Sequence, residues 1–198
     1  MLLGSPITAQ AEGPKTILMI GDSLTAGYGL RQEHSIPVRL QEALLKAGRS
    51  VEIINAGVSG DTSAGGLSRF DWALSTKTDA VIVELGANDG LRGLDPEATF
   101  ENLDAILVKA RAASLPVLLA GMKAPPNLGP EYGEAFNAVY PRLAEKHGVL
   151  LYPFFLEGVA ARAELNQDDA IHPNADGAKV IVEKLMPAVQ ELLDRANR

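Results

Sequence analysis

Five short apolar runs, each followed by a stretch with helical periodicity, set the strongest limit on how this chain folds. The runs are Ile17–Ile20, Val51–Asn55, Ala80–Leu85, Val117–Ala120 and Val149–Phe154. Short, mostly apolar runs of this kind suit strands covered on both faces, as in a parallel sheet. Between the first two, Ser35–Gly48 places Leu40, Leu44 and Ala47 on one helical face. Ser35 is positioned to cap that helix, Pro37 fits its first turn and Gly48 its end. Further helices are predicted over Ala64–Leu74, from Pro96 through Ala110, from about Glu131 to His147, and over Ala175–Arg195. Arg69 and Trp72 fall to helix surface and packing. Strands alternating with helices predict a three-layer α/β/α fold. Right-handed crossovers then favour a five-stranded parallel sheet in the flavodoxin-like order 2-1-3-4-5.

Residues 14–198 are expected to form one domain. Residues 1–13 stand apart. Ala9-Gln10-Ala11 fits the small-x-small pattern before a signal-peptidase cut, yet no basic n-region precedes it. The segment reads as the remnant of a leader on a periplasmic or secreted protein, or as the tail of a cytoplasmic one. The net charge of −7 disfavours nucleic acid as a partner, because such affinity comes largely from Lys and Arg on phosphates. With no cysteine, thiol chemistry is excluded, and three histidines are too few for a His-rich metal site. No run reaches transmembrane length, so stable membrane insertion is not expected.

Open α/β sheets bind ligands at the carboxyl ends of their strands, and that edge is where the polar residues collect. Asp22 and Ser23 follow the first run, Gly57–Thr62 the second, Gly86–Asp89 the third, and Asp168–Pro173 precedes the last helix. A serine hydroxyl is a poor nucleophile until a base takes its proton. His172 supplies that base, since the unperturbed pKa of a histidine suits the task. An acid three or four residues earlier, Asp169 or Asp168, can hold the imidazole by its other nitrogen. Gly60 offers an approachable N–H, Asn88 a side-chain amide, and Ser23 its own N–H, three candidate donors to an oxyanion. Asp22 shapes the turn or caps a helix. His34 and His147 lack the acid-x-x-His context and read as structural. Leu91, Leu94 and Leu128, in loops on the same edge, either line an acyl path or pin those loops to the core.

These blocks resemble the SGNH hydrolases, also called the GDSL family of esterases and lipases. The matching blocks are Gly21-Asp22-Ser23-Leu24, Gly60, Gly86–Asp89 and Asp169–Pro173, in order, over a likeness that starts near residue 15. Within the family the chain is most similar to the bacterial thioesterase I, lysophospholipase and arylesterase group. The resemblance implies Ser23, Asp169 and His172 as triad, so that it selects Asp169 over Asp168. It also implies Ser23, Gly60 and Asn88 as oxyanion hole, an acyl-enzyme on Ser23, no cofactor and no metal. The implied substrates are small-molecule esters and thioesters: aryl and alkyl esters, acyl-CoA and lysophospholipids. A carbohydrate O-deacetylase of the same family is one alternative. A non-catalytic FMN-binding module on the same sheet edge is another. The Gly-x-Ser-x-Gly elbow of the α/β-hydrolases is absent.

Overall fold

The computed structural model describes residues 13–74 and 77–197. Ala9-Gln10-Ala11, with the leader reading placed on it, lies outside them. In chain order the elements are β1 (Lys15–Gly21), α1 (Ser23–Ala26), α2 (Ile36–Lys46), β2 (Val51–Gly57), α3 (Ser63–Ala73), β3 (Ala80–Glu84), α4 (Ala87–Leu91), α5 (Pro96–Ala112), β4 (Val117–Ala120), α6 (Pro130–Asn137), α7 (Val139–His147), β5 (Leu150–Tyr152) and α8 (Ala175–Ala196). The strands form one parallel sheet in the order β2-β1-β3-β4-β5, as the alternation predicts. Helices cover it in two layers, α2 packing with α8, and α3 and α7 with α5.

Burial explains why these runs became strands. Every residue of β3, and of β1 from Thr16 onward, is buried, whereas the edge strand β2 is only partly covered. Each fully buried Val, Leu or Ile side chain contributes roughly 1.5–3 kcal/mol. The register aligns the strand ends: Gly21 lies beside both Gly57 and Glu84, Glu84 beside Ala120, and Ala120 beside Tyr152. Five loops therefore leave the sheet along one line, and residues far apart in sequence meet there.

Three local expectations are corrected. The single helix expected over Glu131–His147 is two, α6 and α7, joined at Ala138. Pro141 has no N–H for the Asn137 carbonyl, and its ring crowds that carbonyl. Ser35 occupies the N-cap position of α2, but its hydroxyl donates to the Gln32 carbonyl at 2.8 Å and caps nothing. Trp72 is 89% exposed, so it belongs to the surface and not to the packing. Among the described residues no helix is long and apolar enough to cross a membrane.

Candidate active site

β1 ends at Gly21, where nothing larger than glycine fits. A Cβ at that position would overlap Thr25 Oγ1 and Glu84 Oε2. Asp22 then caps α1, its Oδ1 accepting the Leu24 N–H at 2.9 Å. Capping places Ser23 first in that helix, where its N–H has no intrahelical acceptor.

Ser23 Oγ lies 2.8 Å from His172 Nε2, and His172 Nδ1 lies 2.6 Å from Asp169 Oδ2. Asp169 Oδ1 accepts the backbone N–H groups of Ile171 and His172, each at 3.0 Å. The His172 N–H, then its imidazole, then the Ile171 N–H pull the Asp169 carboxyl down to about 2. An ionised carboxylate only accepts hydrogen bonds. In the neutral imidazole Nδ1 therefore carries the proton, and Nε2 accepts from the Ser23 hydroxyl. The turn that holds this pair is tight, with Ala170 at φ +58°, a left-handed conformation unusual for alanine. Gln167 fastens it, its N–H donating to the His172 carbonyl at 2.8 Å. The Gln167 amide also reaches the Tyr28 and Pro173 carbonyls. The Tyr28 ring lies against the His172 ring, centroids 4.7 Å apart. Asp168 is exposed beside this network.

Gly60 has φ +85°, and its carbonyl accepts from Arg92 at 3.0 Å. Asn88 lies on α4, and its Nδ2 donates to the Asp61 carbonyl at 2.9 Å and to Asp22 Oδ2 at 3.2 Å. Asp89, its neighbour, is buried and accepts from Ser63 and Thr99, tying α4 to α3 and α5. Arg69 does not lie on the helix surface. Its guanidinium reaches inward to Asp61 Oδ2 at 2.6 Å, the Ala56 carbonyl at 2.7 Å and the Gly21 carbonyl at 2.9 Å. One side chain thus links the ends of β1 and β2 to the loop beyond Gly60. His34 contacts Arg39 and His147 contacts Asp104, as structural histidines do.

Two acids are buried beneath Ser23. Burial pushes the Asp22 carboxyl up to about 6, against the lowering effect of the Leu24 N–H. Burial and the nearby Asp22 raise Glu84 well above the usual carboxylate range. Glu84 Oε2 accepts from Thr25 Oγ1 at 2.6 Å and from the Asp22 N–H at 3.4 Å. Between pH 3.8 and about 6 the folded chain holds the Asp22 proton more tightly than the unfolded chain does. Its contribution to stability is therefore complete below 3.8 and lost as pH rises through about 6. The linked change is on the order of 3 kcal/mol. Urea unfolding followed from pH 4 to pH 7.5 is expected to show this fall. Glu84, raised by burial as well, adds to the fall; Asp22→Asn is expected to make it shallower, and an equally steep fall in that variant counts against Asp22 as a source.

Ser23, Asn88 and His172 line one pocket of about 630 Å³. Its apolar wall comes from Leu91, Met122, Phe154, Leu156 and Ile171, among others. Of the three leucines read as an acyl path, Leu91 lines this pocket; Leu94 and Leu128 do not. Leu128 lies over Gly93, and the Leu94 carbonyl is taken by the Tyr132 hydroxyl. Gly60 and Asp169 also stand outside the lining, Asp169 behind His172.

A hydroxyl, an imidazole and a carboxylate in one hydrogen-bonded line, beside an apolar pocket, suit acyl transfer to water. Fold and site together define a carboxylic ester hydrolase on a flavodoxin-like sheet. The chain belongs to the GDSL-like lipase/acylhydrolase family, whose model matches residues 19–180. It is 41% identical over 188 residues to the esterase TesA of Pseudomonas aeruginosa, covering 94% of each chain. To the thioesterase 1/protease 1/lysophospholipase L1 of Escherichia coli (strain K12) it is 40% identical, over 95% of this chain and 89% of that one. The solved structure of AlinE4, an SGNH-hydrolase family esterase, superposes with a TM-score of 0.78 at 47% identity, covering 93% of this chain and 99% of that one.

Proposed function

We propose that Ser23 attacks the acyl carbonyl of carboxylic esters and thioesters. His172 takes the hydroxyl proton as the new bond forms, and Asp169 fixes the imidazole tautomer and stabilises the imidazolium. The Ser23 N–H, the Gly60 N–H and the Asn88 amide receive the developing oxyanion. His172 then gives its proton to the departing alcohol or thiol. Water, activated by the same imidazole, next attacks the acyl-enzyme and frees Ser23. The observation that carries this reading is the line Ser23 Oγ, His172 Nε2, His172 Nδ1, Asp169 Oδ2, with contacts of 2.8 and 2.6 Å. An FMN-binding module gives this pair nothing to do. No step calls for a metal or cofactor.

The apolar pocket supports an acyl chain longer than acetyl, and the names of the relatives support a broad set of leaving groups. The proposed substrates are aryl and alkyl esters, acyl-CoA and lysophospholipids. A p-nitrophenyl ester series tests the acyl side. Specificity kcat/KM is expected to rise from acetyl to medium chains, by at most about fourfold per methylene, which corresponds to ~0.8 kcal/mol of burial. It then flattens where the wall formed by Phe154, Leu156 and Ile171 ends. Activity falling from acetyl to butyryl favours the carbohydrate O-deacetylase. Export to the periplasm or beyond, with processing after Ala11, belongs to the same proposal. The N-terminal sequence of the protein recovered from its natural host tests it.

A further inference from the structure

We infer that Asp22 is a positioning residue for the oxyanion hole: its carboxyl holds one N–H of Asn88 in the free protein and yields it to the substrate oxygen as the oxyanion forms. This rests on the reading of Asn88 as an oxyanion donor. An amide nitrogen has two hydrogens, and here both are occupied, by the Asp61 carbonyl at 2.9 Å and by Asp22 Oδ2 at 3.2 Å. A donor bonded twice has none left for a substrate. One partner must be released, and the geometry identifies which. Asp22 and Asn88 line the pocket with Ser23, and Asp61 does not. The bond to Asp22 is the longer, and the bond to Asp61 is braced by Arg69, which grips the Asp61 carboxylate. The Asp61 carbonyl thus sets the amide plane, and the N–H facing Asp22 is the one that can be handed over.

The exchange suits the chemistry of both partners. Asp22 is 1% exposed, so in the free protein it supplies the acceptor that a half-buried N–H would otherwise lack. When the substrate oxygen displaces it, Asp22 keeps the Leu24 N–H on Oδ1. Burial also holds the Asp22 proton more tightly than usual, with Glu84, His172 and Asp61 as its titratable neighbours. A carboxyl that is less often ionised grips an amide N–H less strongly. The helix cap alone does not call for an acid, since Asn caps as well as Asp.

That equivalence makes Asp22→Asn a discriminating variant: it keeps the cap and removes the acceptor facing Asn88. With p-nitrophenyl butyrate, Asn88→Ala is expected to lower kcat by roughly 10²–10³-fold. Asp22→Asn should lower it by roughly tenfold or more, with KM changed by less than about threefold. The double variant should be no slower than Asn88→Ala alone, within about threefold. Losses that multiply, or an Asp22→Asn variant with full kcat, overturn the inference and leave the oxyanion reading standing. An Asn88→Ala variant with full kcat removes the oxyanion reading, and the inference with it. Should either variant fold poorly, the wild-type protein gives the answer by NMR. One Asn88 side-chain N–H resonance is expected to follow the Asp22 carboxyl titration and to shift when a phosphonate modifies Ser23, while its partner holds still. Two unmoved resonances overturn the proposal as well.

Discussion

Ser23→Ala is expected to lower kcat by ~10⁴-fold or more while leaving the fold intact. The size follows from the site. His172 Nε2 has the Ser23 hydroxyl as its partner at 2.8 Å, and among the described residues no other serine, threonine or tyrosine lines the pocket. Thr25, two residues on, is fully buried and donates to Glu84, and Ser63 is fully buried and bonded to Asp89 and Asn102. Residual turnover would come from the oxyanion donors and binding alone. Stability should hold, because alanine suits the first turn of a helix and Asp22 still caps it through Leu24. Intact-mass analysis after treatment with a phosphonate or sulfonyl fluoride checks the assignment independently. One adduct is expected, on the peptide containing Ser23, and none in the variant. A label on any other serine, or an active Ser23→Ala protein, removes Ser23 from the mechanism.

The parts of this molecule legible in the sequence are those whose signal is local. β1 and β3 read as strands because almost every position in them faces apolar neighbours on both sides of the sheet. The order of the sheet followed from the alternation and the handedness of its crossovers. The grouping of Ser23, Asn88 and His172 followed from one rule, that strand ends in an open parallel sheet collect their loops on a single edge. By contrast, α1 and α4 run for four and five residues, too short for a 3.6-residue period to show. The break at Ala138 had a readable cause in Pro141, but the apolar spacing on either side suggested one continuous helix.

What the sequence concealed depends on contacts between distant segments. Glu84 sits inside the apolar run Ala80–Leu85, where nothing local marks it out; the register puts it beside Gly21, with its carboxylate on the Thr25 hydroxyl. Arg69 reads, with Trp72, as helix surface and packing. It is the inward reach of its long side chain, from a helix packed on β1 whose end lies beside that of β2, that makes it a clamp on three loops. The pocket wall was misread for a related reason. Leu94 and Leu128 lie in loops on the correct edge, but edge position does not fix which way a loop side chain turns. Phe154 closes the apolar run Val149–Phe154, but β5 stops at Tyr152, so that Phe154 and Leu156 both lie in a stretch without helix or strand period. Their only clue was position after the last strand.

Asp169→Asn is expected to cost about as much as losing the nucleophile, on the order of 10⁴-fold in kcat, whereas Asp168→Asn should change kcat by less than about threefold. Both acids stand close before His172, and the structure gives them different work. Asp169 Oδ1 receives two backbone N–H groups and Oδ2 receives His172 Nδ1. An asparagine there would keep its oxygen on the backbone donors, since they have no other acceptor in the turn. Its NH₂ would then face Nδ1, where two donors cannot meet. The imidazole would answer by moving its proton to Nε2, and Ser23 would lose the acceptor for its own hydrogen. The loss is therefore one of tautomer, with the side-chain positions nearly unchanged. Asp168 is exposed and faces none of these groups, so its charge acts on His172 only through solvent. Acid inactivation separates the two roles further. Asp169 stays ionised down to about pH 2, so it should contribute nothing to the wild-type acid limb of kcat/KM near pH 4. A kinetic titration of both variants from pH 4 to 9 reads all of this at once. Equal losses for the two substitutions, or a greater loss for Asp168→Asn, would move the orienting acid to Asp168 and break the assignment.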